Sequence, residues 1–149
     1  MDKMSKVLKI GICKNSADKI YEVPTIKVIK GKGVINDRHY SNNNDMRKHI
    51  TLIESENIDY YNKKNNKKIL YIKFRRNIIT KGIKLNELIG VNLKIGNVVA
   101  KGVDLCRPCK HLQDLLGEKD IIKEFLRKGG LRCEVITNGV INVEDLIKI

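Results

Sequence analysis

No apolar run in this chain of 149 residues approaches the roughly 18 residues that a membrane-spanning helix needs, and the Lys-rich residues 1–20 lack the uninterrupted apolar core of a secretory signal. Membrane insertion and export are therefore not expected, and the expected compartment is the cytoplasm. Proline is almost missing, with Pro24 and Pro108 the only two, and no internal repeat is present. Acidic residues are few as well, 17 against 30 Lys and Arg, which leaves a net charge of +13.

An excess of that size favours an anionic partner. The cations are scattered among Asn and Ile, as in Lys63-Lys64-Asn65-Asn66-Lys67-Lys68, and no nucleic-acid-binding motif accompanies them. A small anionic ligand therefore fits better than nucleic acid, and a basic nucleic-acid-binding module stands as the lesser alternative. The length and a hydrophobic share of 42% suit one domain, residues 1–149, with a true core. Four cysteines, Cys13, Cys106, Cys109 and Cys133, in a chain without an export signal point to metal, redox or nucleophilic work rather than to disulfides.

The chemistry concentrates in Leu105-Cys106-Arg107-Pro108-Cys109-Lys110-His111-Leu112. A thiol flanked by fixed positive charge has its thiolate stabilised, and the thiolate is the form that attacks, carries sulfur or binds a soft metal. Cys106 and Cys109 are thus the candidate catalytic thiols. A structural zinc site would need Cys106, Cys109, His111 and Cys133 at spacings unlike common ribbons or fingers. A thioredoxin-like redox pair would stand early, after the first strand of a βαβ unit, and would need a later cis-proline that two prolines at 24 and 108 do not supply. Cys13 reads as a packed thiol at a strand end, Cys133 as core, and His111 as a helix-surface residue.

Alternating or β-branched patterns predict strands over residues 7–12, 25–30, 49–53, 91–95, 98–105 and 131–137, with 69–74 strand-like or extended. Gly96-Asn97 joins two of them as a hairpin, and Asn138-Gly139 predicts another, with residues 140–143 returning. Helical spacing predicts helices over 54–64, over 110–116 closed by Gly117, and from Ile121 to Lys128 ahead of Gly129-Gly130, with a turn of helix or loop over 83–89. Residues 36–40 form a polar turn beside an Asn42-Asn43-Asn44 loop. The adjacent Arg75 and Arg76 cannot both enter a core, so at least one must face solvent or an anion. Seven to nine short strands without strict strand–helix alternation predict a mainly β fold, a mainly antiparallel, closed or nearly closed β-barrel with two or three peripheral α-helices.

The order of motifs resembles the MOSC domain family, named for the C-terminal domain of molybdenum cofactor sulfurase. Arg75-Arg76-Asn77-Ile78, Gly82-Ile83-x-Leu85, Leu88-x-Gly90, Leu93-x-Ile95-Gly96, Cys106-x-Pro108-Cys109-x-x-Leu112, Gly129-Gly130-Leu131-Arg132 and Gly139-Val140-Ile141 match small stand-alone members in order and approximate spacing. Upstream, Asp37-Arg38-His39 and Ile50-Thr51-Leu52-Ile53 look like the family's Gly-Asp-Arg and following strand, with Asn36 where many members have glycine.

The resemblance implies a β-barrel and a role with the molybdenum cofactor (molybdopterin). The second motif cysteine, Cys109, corresponds to the family's molybdenum ligand or persulfide carrier, while Cys106 is either a resolving thiol or a bystander. Arg38, Arg75, Arg76 and Arg132 become candidates to hold the pterin phosphate, with His39, Asn77 and Lys110 as further cofactor-binding candidates. It also implies an external sulfur donor such as a cysteine desulfurase, or an electron-donor protein, with a molybdoenzyme as a further partner. Pyridoxal phosphate is not expected in this chain. The activity implied is sulfur transfer or reduction of N-hydroxylated substrates, with a non-enzymatic cofactor chaperone as the alternative.

Overall fold

Leu52-Ile53 and Ile78-Ile79 each place two apolar residues side by side, and neighbours in a strand point to opposite faces, so these strands need cover on both sides. The computed structural model, which describes residues 4–15, 19–41 and 45–149, supplies that cover. Its strands are β1 (Lys6–Ile12), β2 (Tyr21–Val23), β3 (Thr25–Ile29), β4 (Gly33–Val34), β5 (Ile50–Glu54), β6 (Ile78–Lys81), β7 (Asn92–Ile95), β8 (Val98–Leu105), β9 (Leu131–Val135), β10 (Gly139–Asn142) and β11 (Ile147–Lys148). The α-helices are α1 (Ser55–Asn65), α2 (Lys110–Leu116) and α3 (Ile121–Glu124). The Asn42-Asn43-Asn44 loop lies outside the described residues.

Eight strands form one curled sheet in the order β11-β7-β8-β9-β5-β6-β1-β2, and β10-β3-β4 form a second. The pairing of β5 with β6 is parallel, with α1 in the crossover between them; the other strand pairs are antiparallel. Backbone bonds from Val7 N–H to Asp145 O (2.9 Å), Glu144 N–H to Val7 O (2.8 Å) and Ile147 N–H to Ser5 O (2.8 Å) carry the β1 side of the sheet round to the segment that leads into β11. The sheet is thereby bent into a barrel, and the mainly β architecture with peripheral helices is the one that the hydrophobic pattern predicts.

Two cores follow from the two-sided strands. Leu52 and Ile78 point into the barrel with Val7, Ile10, Leu93, Ile95 and Leu131. Ile53 and Ile79 point outward and are covered by Ile58, Tyr61, Phe74, Leu112, Ile121 and Phe125, a layer built from α1, α2, α3 and the turn before β6. Phe125 centres that layer, with ring centroids 5.4 Å from Tyr61 and 4.9 Å from Phe74. Among the described residues no helix is long and apolar enough to cross a membrane.

Three local expectations are corrected. Residues 69–74 do not form a strand; Tyr71–Phe74 is a 3-10 turn, because Tyr71 and Phe74, three apart, both reach the outer core. The helix expected to run to Lys128 stops at Glu124, since Arg127 turns to φ 64° and Asn86 Nδ2 donates to its carbonyl at 2.7 Å. Asn138-Gly139 is not a hairpin turn: β10 leaves β9 and pairs with β3, and Asn138 Oδ1 accepts the Lys30 N–H at 2.7 Å.

Candidate functional site

The end of β1, the 36–40 turn and the start of β6 meet at one place, and a buried carboxylate fastens them. Asn36 takes φ 73°, a left-handed backbone that asparagine tolerates, and this tips Asp37 inward. Asp37 accepts from Cys13 N–H (3.0 Å), His39 N–H (3.3 Å) and Asn77 Nδ2 (3.3 Å), while Arg38 N–H donates to Cys13 O (2.7 Å). Asn77 Nδ2 also donates to Gly11 O (3.1 Å), and its Oδ1 accepts from the Thr51 N–H (3.1 Å) and hydroxyl (3.3 Å), so one side chain ties β1, β5 and β6 together.

The arginine pair sits on this frame. Arg75 adopts φ 63° after the 3-10 turn and aims Nη2 at the Cys13 sulfur, 3.1 Å away. Arg76 Nε donates to Gly129 O (2.9 Å) and Nη1 to Phe74 O (3.3 Å). Arg38, His39, Arg75 and Arg76 together line a cavity of about 50 Å³, with Asp37, Thr51 and Asn77 behind them. The His39 ring lies 3.9 Å from Asp37 by its Nδ1 and is partly exposed. A pocket of this size holds a few waters or one small anion, and guanidinium forks recognise phosphate bidentately.

Beside it stand the thiols. Cys106 follows β8, is buried, and donates its backbone N–H to Gly130 O at 2.7 Å. Burial pushes the Cys106 thiol up; Arg76 and then Arg132 pull it back down, and Asp104 opposes them. Arg132 lies across the strand pair from Asp104 and grips it bidentately at 2.7 and 2.9 Å. Cys133 is wholly buried, and burial followed by the neighbouring Cys106 raises its pKa. Cys109 is exposed instead; it caps α2, its sulfur accepting the Leu112 N–H at 3.4 Å. Lys110 is exposed too and pairs with Asp114 at 3.5 Å.

The structure thus gathers five of the predicted residues, Arg38, His39, Arg75, Arg76 and Asn77, at the small cavity. It sets Cys106 near both Arg76 and Arg132, and it leaves Cys109 and Lys110 on the outer surface at the start of α2. Cys106 also borders a second cavity, of about 630 Å³. The four residues of a zinc site are split between interior and surface, and among the described residues no three His, Cys, Asp or Glu side chains converge as a metal cage. Cys13, Asp37 and Thr51 also belong to the small cavity. The position of Cys13 at a strand end, and the motifs that hold Asp37 and Thr51, were the hints in the sequence.

The chain matches the MOSC domain model over residues 36–148. Its structure is similar to that of the YuaD protein from Bacillus subtilis, with a TM-score of 0.83 at 15% identity, covering 97% of this chain and 94% of that one. YiiM from Geobacillus stearothermophilus (TM-score 0.75, 16% identity, 97% and 74% covered) and YiiM from Escherichia coli (0.71, 16%, 99% and 69%) share the fold as well. No curated protein sequence matches the chain.

Proposed function

The chain belongs to the MOSC domain family, and from that premise we propose that it binds the molybdenum cofactor, with Arg38, Arg75 and Arg76 on the pterin phosphate and Cys109 as metal ligand or persulfide carrier. The observation that carries this reading is the convergence of three arginines and His39 on one phosphate-sized cavity. The donor set fits the group: guanidinium forks suit a phosphate, and thiolates suit a metal that prefers sulfur. When bound, the cofactor would supply two-electron redox chemistry at its metal.

The chain's own residues do the rest. Arg76 sets a positive charge against Cys106 and offsets part of the burial that raises its thiol. Cys109, exposed and receiving the Leu112 N–H, is reachable by a cytoplasmic sulfur-donor protein such as a cysteine desulfurase, or by an electron donor. Asp37 and Asn77 fix the backbone that carries Arg38 and His39. The 630 Å³ cavity that Cys106 borders favours an enzyme that handles an organic substrate over a bare chaperone.

Molybdenum and pterin content, measured on protein from a cofactor-replete host, tests this directly. Wild type should hold both near stoichiometry; Arg75→Ala combined with Arg76→Ala should lose pterin, and Cys109→Ala should lose metal or, after incubation with a desulfurase, the persulfide label. Folded wild type that carries no pterin would sink the cofactor reading.

A further inference from the structure

The 630 Å³ cavity lies within the roughly 300–1,000 Å³ typical of small-molecule sites, and its chemistry differs from that of the arginine cavity. Leu105, Pro108, Ile122 and Leu126 give it apolar walls, and two of these are exposed against the usual preference, Ile122 at 40% and Leu126 at 68%. Arg107 and Arg127 line it from exposed positions. Asp104, the acid in its lining, is already committed to Arg132. Among the described residues neither Arg107 nor Arg127 forms a salt bridge.

The wall is held in place before any ligand arrives. Gln113 Oε1 accepts the Ile122 N–H at 3.2 Å, and Asn86 fixes the carbonyl of Arg127, whose left-handed backbone is one that L residues adopt only when the surroundings impose it. We propose that this cavity binds a planar aromatic anion, its ring between Leu126, Ile122 and Pro108, its charged group on Arg107 and Arg127, and its buried edge over Cys106. The site is separate from the phosphate cavity, so it stands or falls without the cofactor.

Fluorescence titration of the full-length protein with 1-anilinonaphthalene-8-sulfonate is the test. One saturable site is expected, with the neutral analogue N-phenyl-1-naphthylamine bound more weakly. Arg107→Glu combined with Arg127→Glu should weaken the sulfonate about tenfold or more and abolish the preference over the neutral compound. Leu126→Asp, at an exposed position that should leave circular dichroism unchanged, should weaken both. Sulfonate affinity unchanged in both variants, or equal binding of the neutral compound, would each overturn the assignment. Pterin content in the Arg107/Arg127 variant separates the two readings, since it should stay at the wild-type level.

Discussion

Asn77 offers the sharpest test of how the arginine cavity is built. Its amide donates to Gly11 O and Asp37 and accepts twice from Thr51, four bonds between 3.1 and 3.3 Å on a side chain that is 6% exposed. Neutral buried bonds contribute about 1 kcal/mol each and one to a carboxylate about 1.5–3, so Asn77→Ala should cost about 4.5–6 kcal/mol, most of it from the groups left without partners. Asn77→Asp should be worse at pH 7. It sets a second carboxylate against Asp37 at the 3.3 Å now spanned by a hydrogen bond, and at an effective dielectric of 20 the repulsion is about 5 kcal/mol. Like charge raises the folded pKa of that pair above its unfolded value, so the folded state takes up the extra proton and the Asp variant should recover, relative to wild type, as pH falls from 7 to 5. Urea denaturation of the three proteins at several pH values measures all of this. If Asn77→Ala kept wild-type stability and lost only pterin, the residue would be a ligand contact and this account of the frame would be wrong.

His49 gives a pH prediction. It is buried, its Nδ1 accepts the Val135 N–H at 3.1 Å, and burial lowers its pKa despite the opposing pull of Glu134 and Asp45. A depressed folded pKa means that the unfolded chain binds the proton first, so stability is full above about pH 6.5 and falls by up to about 1.4 kcal/mol per unit on acidification until the folded value is reached. His49→Leu should flatten that slope in pH-dependent melting. Thiol counting should find one fast-reacting cysteine in the native protein, Cys109, and four in denaturant; a second fast thiol would contradict the burial of Cys13, Cys106 and Cys133. Gly130→Ala should destabilise by about 3 kcal/mol or more in thermal melts, because Gly130 has φ 110° and an added Cβ would strike the Leu52 carbonyl.

The barrel was legible because most of its strands carry their own pattern: residues 7–12, 25–30, 91–95 and 98–105 alternate or cluster strongly enough to be read locally. What could not be read was partnership. Asn138-Gly139 has the composition of a hairpin turn, yet β10 gains more by covering β3, and that choice depends on residues over a hundred positions away. The arginines, the thiol pair and the turn at residues 36–40 were readable as chemistry-bearing. Asp37, Cys13 and Thr51 were not read as part of one cavity, since nothing local says that β1, β5 and β6 meet there. Nor does sequence show that Cys106 faces inward and Cys109 outward, which follows from where β8 stops and α2 begins.

The bonds that join residues 5–7 to 144–147 have a kinetic consequence. Lys6 and Glu144, paired at 2.7 Å, are 138 positions apart, and bringing such distant segments together costs on the order of 4 kcal/mol in loop entropy. A seam of that kind belongs late in folding, when the intervening strands have already shortened the path. Because β1 is one side of the seam and also delivers Gly11 and Cys13 to Asn77, Asp37 and Arg75, the frame under the arginine cavity should mature with that late step.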